Sequence, residues 1–163
     1  ECVGSVLYVP CLKKMYIAAK GKGAYLIRNI EPCDNPQYEG KQIEAMLERL
    51  PLECNRHEGF RMAVSRSHQT PETLERIAHM RELHPDLELI EQGSSYKFCL
   101  LAEGAVDYYV RTTNTYEWDT AAGELILSEA GGKTISYPDG KPLEYNKEDL
   151  KNPWFEAQGA KCR

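Results

Sequence analysis

The six cysteines, Cys2, Cys11, Cys33, Cys54, Cys99 and Cys162, contain no Cys-x-x-Cys pair. That absence speaks against a zinc ribbon or a thioredoxin-type redox centre. No apolar run approaches the roughly 20 residues that a membrane-spanning helix needs. No basic start leads into an apolar stretch, so a signal peptide is not expected. Cationic surplus is missing too: twenty Lys and Arg against 25 Asp and Glu leave a formal charge of −5, spread along the chain. General binding of a nucleic acid polymer needs a basic face and is disfavoured, whereas a small anion can still be held where a few cations converge. There is no internal repeat, no low-complexity tract and no initiator methionine. Glu1-Cys2-Val3-Gly4 runs straight into an apolar stretch, as expected of a chain cut from something longer. Free thiols suit a reducing compartment, so a cytoplasmic setting is expected, with peripheral attachment to the inner membrane left open.

The chain has 163 residues, 42% of them apolar, enough for one domain with a sizeable core. Residues 3–9, 14–19 and 24–27 read as strands, with a turn at 20–23, and form an antiparallel meander. Residues 28–42 read as loop, and 43–50 as a short helix or an irregular connection. From residue 60 the pattern alternates. Strands are expected at 60–65, 87–90, 106–110 and 133–137, helices at 71–83, 94–104 and 119–130, and a last strand near Trp154-Phe155-Glu156-Ala157. This predicts an α/β chain: the meander, then a mixed sheet flanked by helices. The expected division is 1–58, the remainder of an α+β domain, and 59–163, an α/β domain carrying the substrate-binding segments. Cys99, in an apolar run, is expected to be a small buried hydrophobe, and Trp118 is expected in the core.

Residues 115–132, Thr-Tyr-Glu-Trp-Asp-Thr-Ala-Ala-Gly-Glu-Leu-Ile-Leu-Ser-Glu-Ala-Gly-Gly, carry the most chemistry. Ala121, Ala122, Leu125, Ile126 and Ala130 make a helical apolar stripe, and Gly131-Gly132 supply its stop. Asp119 at the head of the stripe can be a simple N-cap. It can also serve a ligand, because Thr120-Ala121-Ala122-Gly123 permits close approach and a helix N-terminus attracts anions. A carboxylate beside a phosphate seat makes sense when a divalent cation lies between them. Elsewhere, Ser94 and Ser95 open a predicted helix with hydroxyls and free N–H groups. Lys97 is a mobile point cation suited to phosphate, and Arg111 is a planar fork that grips two oxygens. Each has a plainer reading, as a cap or a solvated charge.

The segment Trp118 to Gly132 resembles the C-terminal signature of the magnesium-dependent, lithium-sensitive phosphatases. That superfamily includes inositol monophosphatases, fructose bisphosphatases and bisphosphate nucleotidases. Glu91–Arg111, with Gly93-Ser94-Ser95-Tyr96-Lys97, and Ala63–His68 are similar to the CysQ-type branch, which acts on 3'(2'),5'-bisphosphate nucleotides. The resemblance implies the C-terminal part of a layered αβαβα sugar-phosphatase fold. It implies substrate contacts at Ser65, Arg66, His68, Ser94, Ser95, Lys97, Arg111 and Asp119, with Asp119 also a magnesium ligand. It further implies two or three Mg2+ ions in the parent enzyme and a nucleotide bisphosphate as the partner small molecule. The superfamily's Asp-Pro-x-Asp-Gly-Thr motif and its earlier glutamate have no counterpart here; Asp139-Gly140 reads as a turn. The expectation is therefore a fragment with no catalytic residues of its own, weak magnesium binding and an exposed sheet edge inviting self-association. The parent would hydrolyse the 3'-phosphate of adenosine 3',5'-bisphosphate. The alternatives are an inositol phosphatase, or a non-catalytic α/β module that binds an anion or a partner.

Overall fold

The computed structural model describes residues 1–31, 40–55, 57–66 and 70–160. His68 lies outside them. The first sheet is antiparallel, ordered β1 (Gly4–Val9), β2 (Lys14–Ala19), β3 (Gly23–Ile27), β4 (Glu48–Arg49). Its register runs Gly4 opposite Ala19 and Met15 opposite Ile27. The connection expected over 43–50 resolves into α1 (Gly40–Ala45) and the two-residue β4, which pairs Arg49 with Tyr25. Two residues are too few to show a period in sequence. What fixes them is the side chain of Glu48 accepting from Arg28 at 2.7 Å and the burial of Leu50 just beyond.

The second sheet is mixed, with strand order β6 (Glu88–Glu91), β5 (Arg61–Val64), β7 (Tyr108–Arg111), β9 (Phe155–Gln158), β8 (Lys133–Ser136). β5, β6 and β7 are parallel, while β9 runs antiparallel to both β7 and β8. α2 (Pro71–Leu83) covers one face, where Met62, Val64, Tyr108 and Val110 meet Ile77 and Met80. The alternate residues, Ala63 and Tyr109, face the other way into the main core, as the two-residue period of a strand requires.

α3 (Tyr96–Glu103) and α4 (Glu117–Glu129) form a layer between the two sheets, α4 packing on β1, β2, β3 and β8. One apolar cluster joins Tyr16, Leu26 and Leu50 to Phe98, Ile126 and Phe155. It therefore runs across the sequence boundary at 58/59. Each fully buried Leu or Ile side chain in it contributes about 1.5–3 kcal/mol. A buried carboxylate crosses the same interface: Glu103 on α3 accepts from Lys14 Nζ at 2.8 Å, from Tyr16 Oη and from Asn55 Nδ2 at 3.2 Å. Three donors offset the cost of taking that charge out of water.

Two glycines are there for contact. A Cβ on Gly123 would sit 2.8 Å from the Phe98 ring, so the small residue lets α3 and α4 touch. A Cβ on Gly132 would sit 2.2 Å from Leu127 Cδ1 and 2.7 Å from the Gln158 carbonyl, so α4 closes directly onto β9. Among the described residues no helix is long and apolar enough to cross a membrane. Cys2, Cys11, Cys54 and Cys99 are free thiols, and Cys99 is buried as expected.

Candidate substrate site

Parallel strands send their carboxyl ends to one edge, where the following loops and helix starts gather. Ser65 follows β5, Gln92 follows β6 and Arg111 ends β7. There a cavity of about 340 Å³ is lined by Ser65, Arg66, Ser94, Ser95, Arg111 and Asp119. A neighbouring cavity of about 510 Å³ shares Arg66, Ser94, Ser95 and Asp119 and continues to Leu7, Pro10 and Trp118. The fold thus brings together six of the residues expected from sequence. Lys97 lines neither cavity. Two larger hollows, of about 840 and 650 Å³, lie around the carboxyl end of α4 and beside Tyr145, and none of the expected residues lines them.

α4 starts at Glu117, before the expected Asp119, and its N-cap is Tyr116. Asp119 is therefore not the N-cap but the third residue of the first turn. Its Oδ2 accepts from the Tyr116 N–H at 2.9 Å, and its own N–H donates to the Tyr116 carbonyl at 2.9 Å. This is the glutamate half of a capping box, made with the shorter acid. Oδ1 makes no bond among the described residues, and the side chain is exposed. Trp118 is not in the core: it is 66% exposed and stacks on Tyr116 at 4.7 Å. Glu117 and Thr120 take the inward positions on that turn, which leaves 118 pointing out.

α3 likewise begins later than expected, at Tyr96. Ser94 has a positive φ of 57°, and Ser95 follows at φ −64°, ψ −9°. Successive residues of opposite hand are the backbone pattern of anion-binding concavities, and Gly93, Ser94 and Ser95 all line the cavity. The serine hydroxyls do not cap α3. Ser95 Oγ instead donates to the Asp119 carbonyl at 2.8 Å, tying the loop to α4. No bond among the described residues claims the N–H groups of Gly93, Ser94 or Ser95.

The two cations behave differently. Lys97 is not a mobile surface charge. It is 2% exposed, donates to the carbonyls of Gln92 at 3.1 Å and Ser94 at 3.0 Å, and lies over the Tyr109 ring at 4.9 Å. Burial, and then repulsion from Arg111, push its pKa down to about 8. Arg111 donates from Nη1 to Ser65 Oγ at 2.9 Å, while its buried Nε has no partner. An unsatisfied buried donor costs about 1–3 kcal/mol, a cost that an arriving anion removes. Arg76 makes the contrast: it is bonded to Tyr108 at 2.7 Å and Glu156 at 2.9 Å, and so has a purely structural set of partners.

Sequence reasoning missed the supports. Asn152, 4% exposed, donates from Nδ2 to Thr115 Oγ1 at 3.2 Å, to the Tyr116 carbonyl at 2.8 Å and to Thr120 Oγ1 at 3.0 Å. It latches a distant segment onto the start of α4, and nothing local marks it. Glu117 accepts from Lys147 Nζ at 2.5 Å and from the N–H groups of Asn146 and Lys147. The Lys147 ammonium, helped by those amides, holds its pKa down at about 2. An acidic residue suits a first helical turn, but a partner thirty positions on leaves no local trace. Thr70, Thr73 and Thr112 share a ring of hydroxyl bonds at 2.6–3.3 Å. That ring fixes the start of α2 against the residue following Arg111.

Among the described residues, no group of three or more His, Cys, Asp or Glu could hold a metal ion. Asp119 is the sole carboxylate lining the two cavities among those residues. Magnesium takes near-octahedral oxygen coordination. The donor set here fits one ligand of such a centre and does not fit a two- or three-metal site by itself.

Known proteins share this geometry. The sequence profile of the inositol monophosphatase family matches residues 1–158, and the chain belongs to that family. Within it, the 3'(2'),5'-bisphosphate nucleotidase CysQ of Escherichia coli K12 is 36% identical over 151 residues, covering 92% of this chain and 52% of that one. The crystal structure of CysQ from Bacteroides thetaiotaomicron superposes with a TM-score of 0.89 at 42% identity, covering 98% of this chain and 59% of the other. Mycobacterium tuberculosis SuhB, at 20% identity and a TM-score of 0.63, shares the fold. The chain spans about half the length of the CysQ relatives from enteric bacteria and corresponds to their C-terminal portion. The family resemblance read from Trp118–Gly132 and the CysQ resemblance read from Glu91–Arg111 and Ala63–His68 are borne out, as is the α/β architecture.

Proposed function

We propose that this chain is the substrate-holding portion of a magnesium-dependent phosphomonoesterase that converts adenosine 3',5'-bisphosphate to AMP and phosphate. One observation carries the reading. The half-satisfied guanidinium of Arg111 and the unclaimed N–H groups of Gly93–Ser95 converge on one cavity, whose rim holds the carboxylate of Asp119. Arg111, with Ser65 orienting it, grips one phosphate, and the 93–95 amides take oxygens of the same or the second group. Arg66 lies exposed at the mouth and adds charge. In the hydrolysis, a water oxygen bonds to phosphorus, the bond from phosphorus to the 3' oxygen breaks, and that oxygen leaves with a proton. Magnesium would activate the water and neutralise the phosphoryl oxygens; Asp119 supplies one ligand, and the others come from outside this chain. The 163 residues alone therefore bind substrate without useful turnover. The free thiols support a cytoplasmic setting.

The alternative within the family is an inositol phosphate substrate. A bisphosphate is favoured because it rewards cationic and N–H donors at two places, and a monoester uses only one. The test is phosphate release from both substrates by the complete polypeptide that contains this chain. A preference for the bisphosphate is expected. In Arg111→Met, losing a charge-assisted bond of about 1.5–3 kcal/mol should raise KM for the bisphosphate roughly 10- to 100-fold. A preference for inositol phosphate, or indifference to Arg111→Met, contradicts the reading.

A further inference from the structure

Asp119 faces the cavities only if the first turn of α4 is correctly set, and that turn is gripped from its other side. Glu117 stands two positions earlier and is buried, whereas Asp119 is exposed. At roughly 3.6 residues per turn, two positions are about 200° apart round a helix. Anchoring Glu117 inward therefore turns Asp119 outward, to the rim where both cavities lie. The anchor is a carboxylate seat built from residues 144–147. Lys147 Nζ donates to Glu117 Oε1 at 2.5 Å and to the Glu144 carbonyl at 2.8 Å. The N–H groups of Asn146 and Lys147 donate to the same carboxylate, at 2.6 and 3.1 Å. Asn146 has a positive φ of 66°, which asparagine tolerates better than most residues, and the ammonium closes that turn. The same stretch of chain offers the Leu150 carbonyl to the Glu117 N–H at 3.0 Å and Asn152 Nδ2 to the Tyr116 carbonyl at 2.8 Å. Tyr116 is the residue whose N–H holds Asp119 Oδ2.

We propose that Lys147 is a positioning residue: by clamping Glu117, its ammonium fixes the first turn of α4 in the setting that presents the Asp119 carboxylate to a magnesium ion. It lines neither cavity of the site, and so acts through Glu117 and the helix. This rests on the proposed reading of Asp119 as a magnesium ligand, and extends it to the distant support that orients the ligand. The first turn of a helix frays readily when nothing holds it, and a carboxylate on a frayed turn samples several directions. An exposed ion pair on its own would do little. This pair differs because Glu117 is 9% exposed and its carboxylate takes three donors.

The test uses the complete polypeptide and sets Lys147→Met against Arg76→Met, a control that breaks a structural cluster between α2, β7 and β9. Without metal, hydrogen exchange at the Tyr116 N–H reports whether its bond to Asp119 Oδ2 persists. Lys147→Met should speed that exchange at least about tenfold relative to the amides of β5, and Arg76→Met should leave it unchanged. Magnesium titrations read by calorimetry should show Kd raised about 10- to 100-fold in Lys147→Met, as for loss of an outer-shell partner, and unchanged in Arg76→Met. A pair that merely staples the chain lowers the melting temperature, as the control does, and moves neither readout. Unchanged exchange in Lys147→Met overturns the proposal, as does unchanged magnesium affinity where Asp119→Asn weakens it. If Asp119→Asn leaves magnesium affinity intact, the reading of Asp119 as a ligand fails instead, and the exchange arm still decides whether Lys147 holds the turn. Glu117→Gln replaces Lys147→Met in both arms should the latter fail to fold.

Discussion

The antiparallel and mixed sheets share a helical layer yet contribute unequally to the site. The antiparallel sheet gives it an apolar wall, Leu7 to Pro10. The polar groups of that sheet are largely spent on each other or on the helices: Arg28 on Glu48, Lys14 and Tyr16 on Glu103. The mixed sheet gives Ser65, the 92–95 loop and Arg111, with donors left over. Topology accounts for the difference. Hairpins distribute strand ends over both edges, whereas crossovers between parallel strands return each carboxyl end to the same edge. A residue placed after β5, β6 or β7 meets the others there, whereas the turn after β2 lies elsewhere, its Gly21 and Gly23 N–H groups donating to Glu129 on α4.

Four perturbations sharpen or break that contrast. The largest effect is expected from Asp119→Asn in the complete polypeptide. The amide still accepts from the Tyr116 N–H, so thermal stability should hold within about 0.5 kcal/mol. Magnesium-dependent hydrolysis should fall at least about 100-fold, beyond the usual cost of losing an outer-shell partner. Near-normal rates at saturating magnesium would show that the residue only caps α4. Next, Gly132→Ala drives a methyl group against the Gln158 carbonyl. It should lower the denaturant midpoint by the equivalent of about 1–3 kcal/mol, because it wedges α4 off the sheet that carries the site.

The third is a pH effect centred on Lys97. Its folded pKa of about 8 lies below the ordinary 10.5. Between those values the unfolded chain holds more protons than the folded one, so stability should rise with pH from about 8 toward 10.5. Anion binding works in the opposite sense, because a nearby phosphate favours the charged ammonium. Affinity is full below about pH 8 and should decline above it. The buried Tyr109 beside Lys97 adds no step there, since burial pushes its hydroxyl up to about 12. Calorimetry across pH 6.5–9.5 checks it, and a flat profile would contradict it.

The smallest effect concerns the antiparallel sheet. β1 is its edge among the described residues, and Val6 there is 61% exposed. The isolated chain should self-associate in size-exclusion chromatography, and Val6→Lys should reduce that association with little change in monomer stability. A clean monomer in the wild type would count against an open edge.

Much of the fold and of the site is legible in the sequence itself. Short β-rich runs mark the antiparallel sheet, the alternation of strand and helix from residue 60 marks the mixed sheet, and the stripe from Ala121 to Ala130 marks α4. The segments Ala63–His68, Glu91–Arg111 and Trp118–Gly132 point to the right family and to six residues that do meet. What stays hidden depends on distant partners. Lys97 looks like any surface cation until Tyr109 and two carbonyls close over it. Trp118 looks like a core residue until Glu117 and Thr120 take the inward places. Asn152 has no signal at all, since its role exists only once residues 150–152 lie beside the start of α4.

The most direct test of substrate seating is a titration of the 15N-labelled chain with adenosine 3',5'-bisphosphate, followed at the backbone amides and at the Arg111 Nε–H. Saturable shifts are predicted at Gly93, Ser94, Ser95 and Arg111, with the antiparallel sheet silent beyond Leu7–Pro10. Shifts centred on the hollow around Gly131 and Lys133, or none at millimolar ligand, would contradict it.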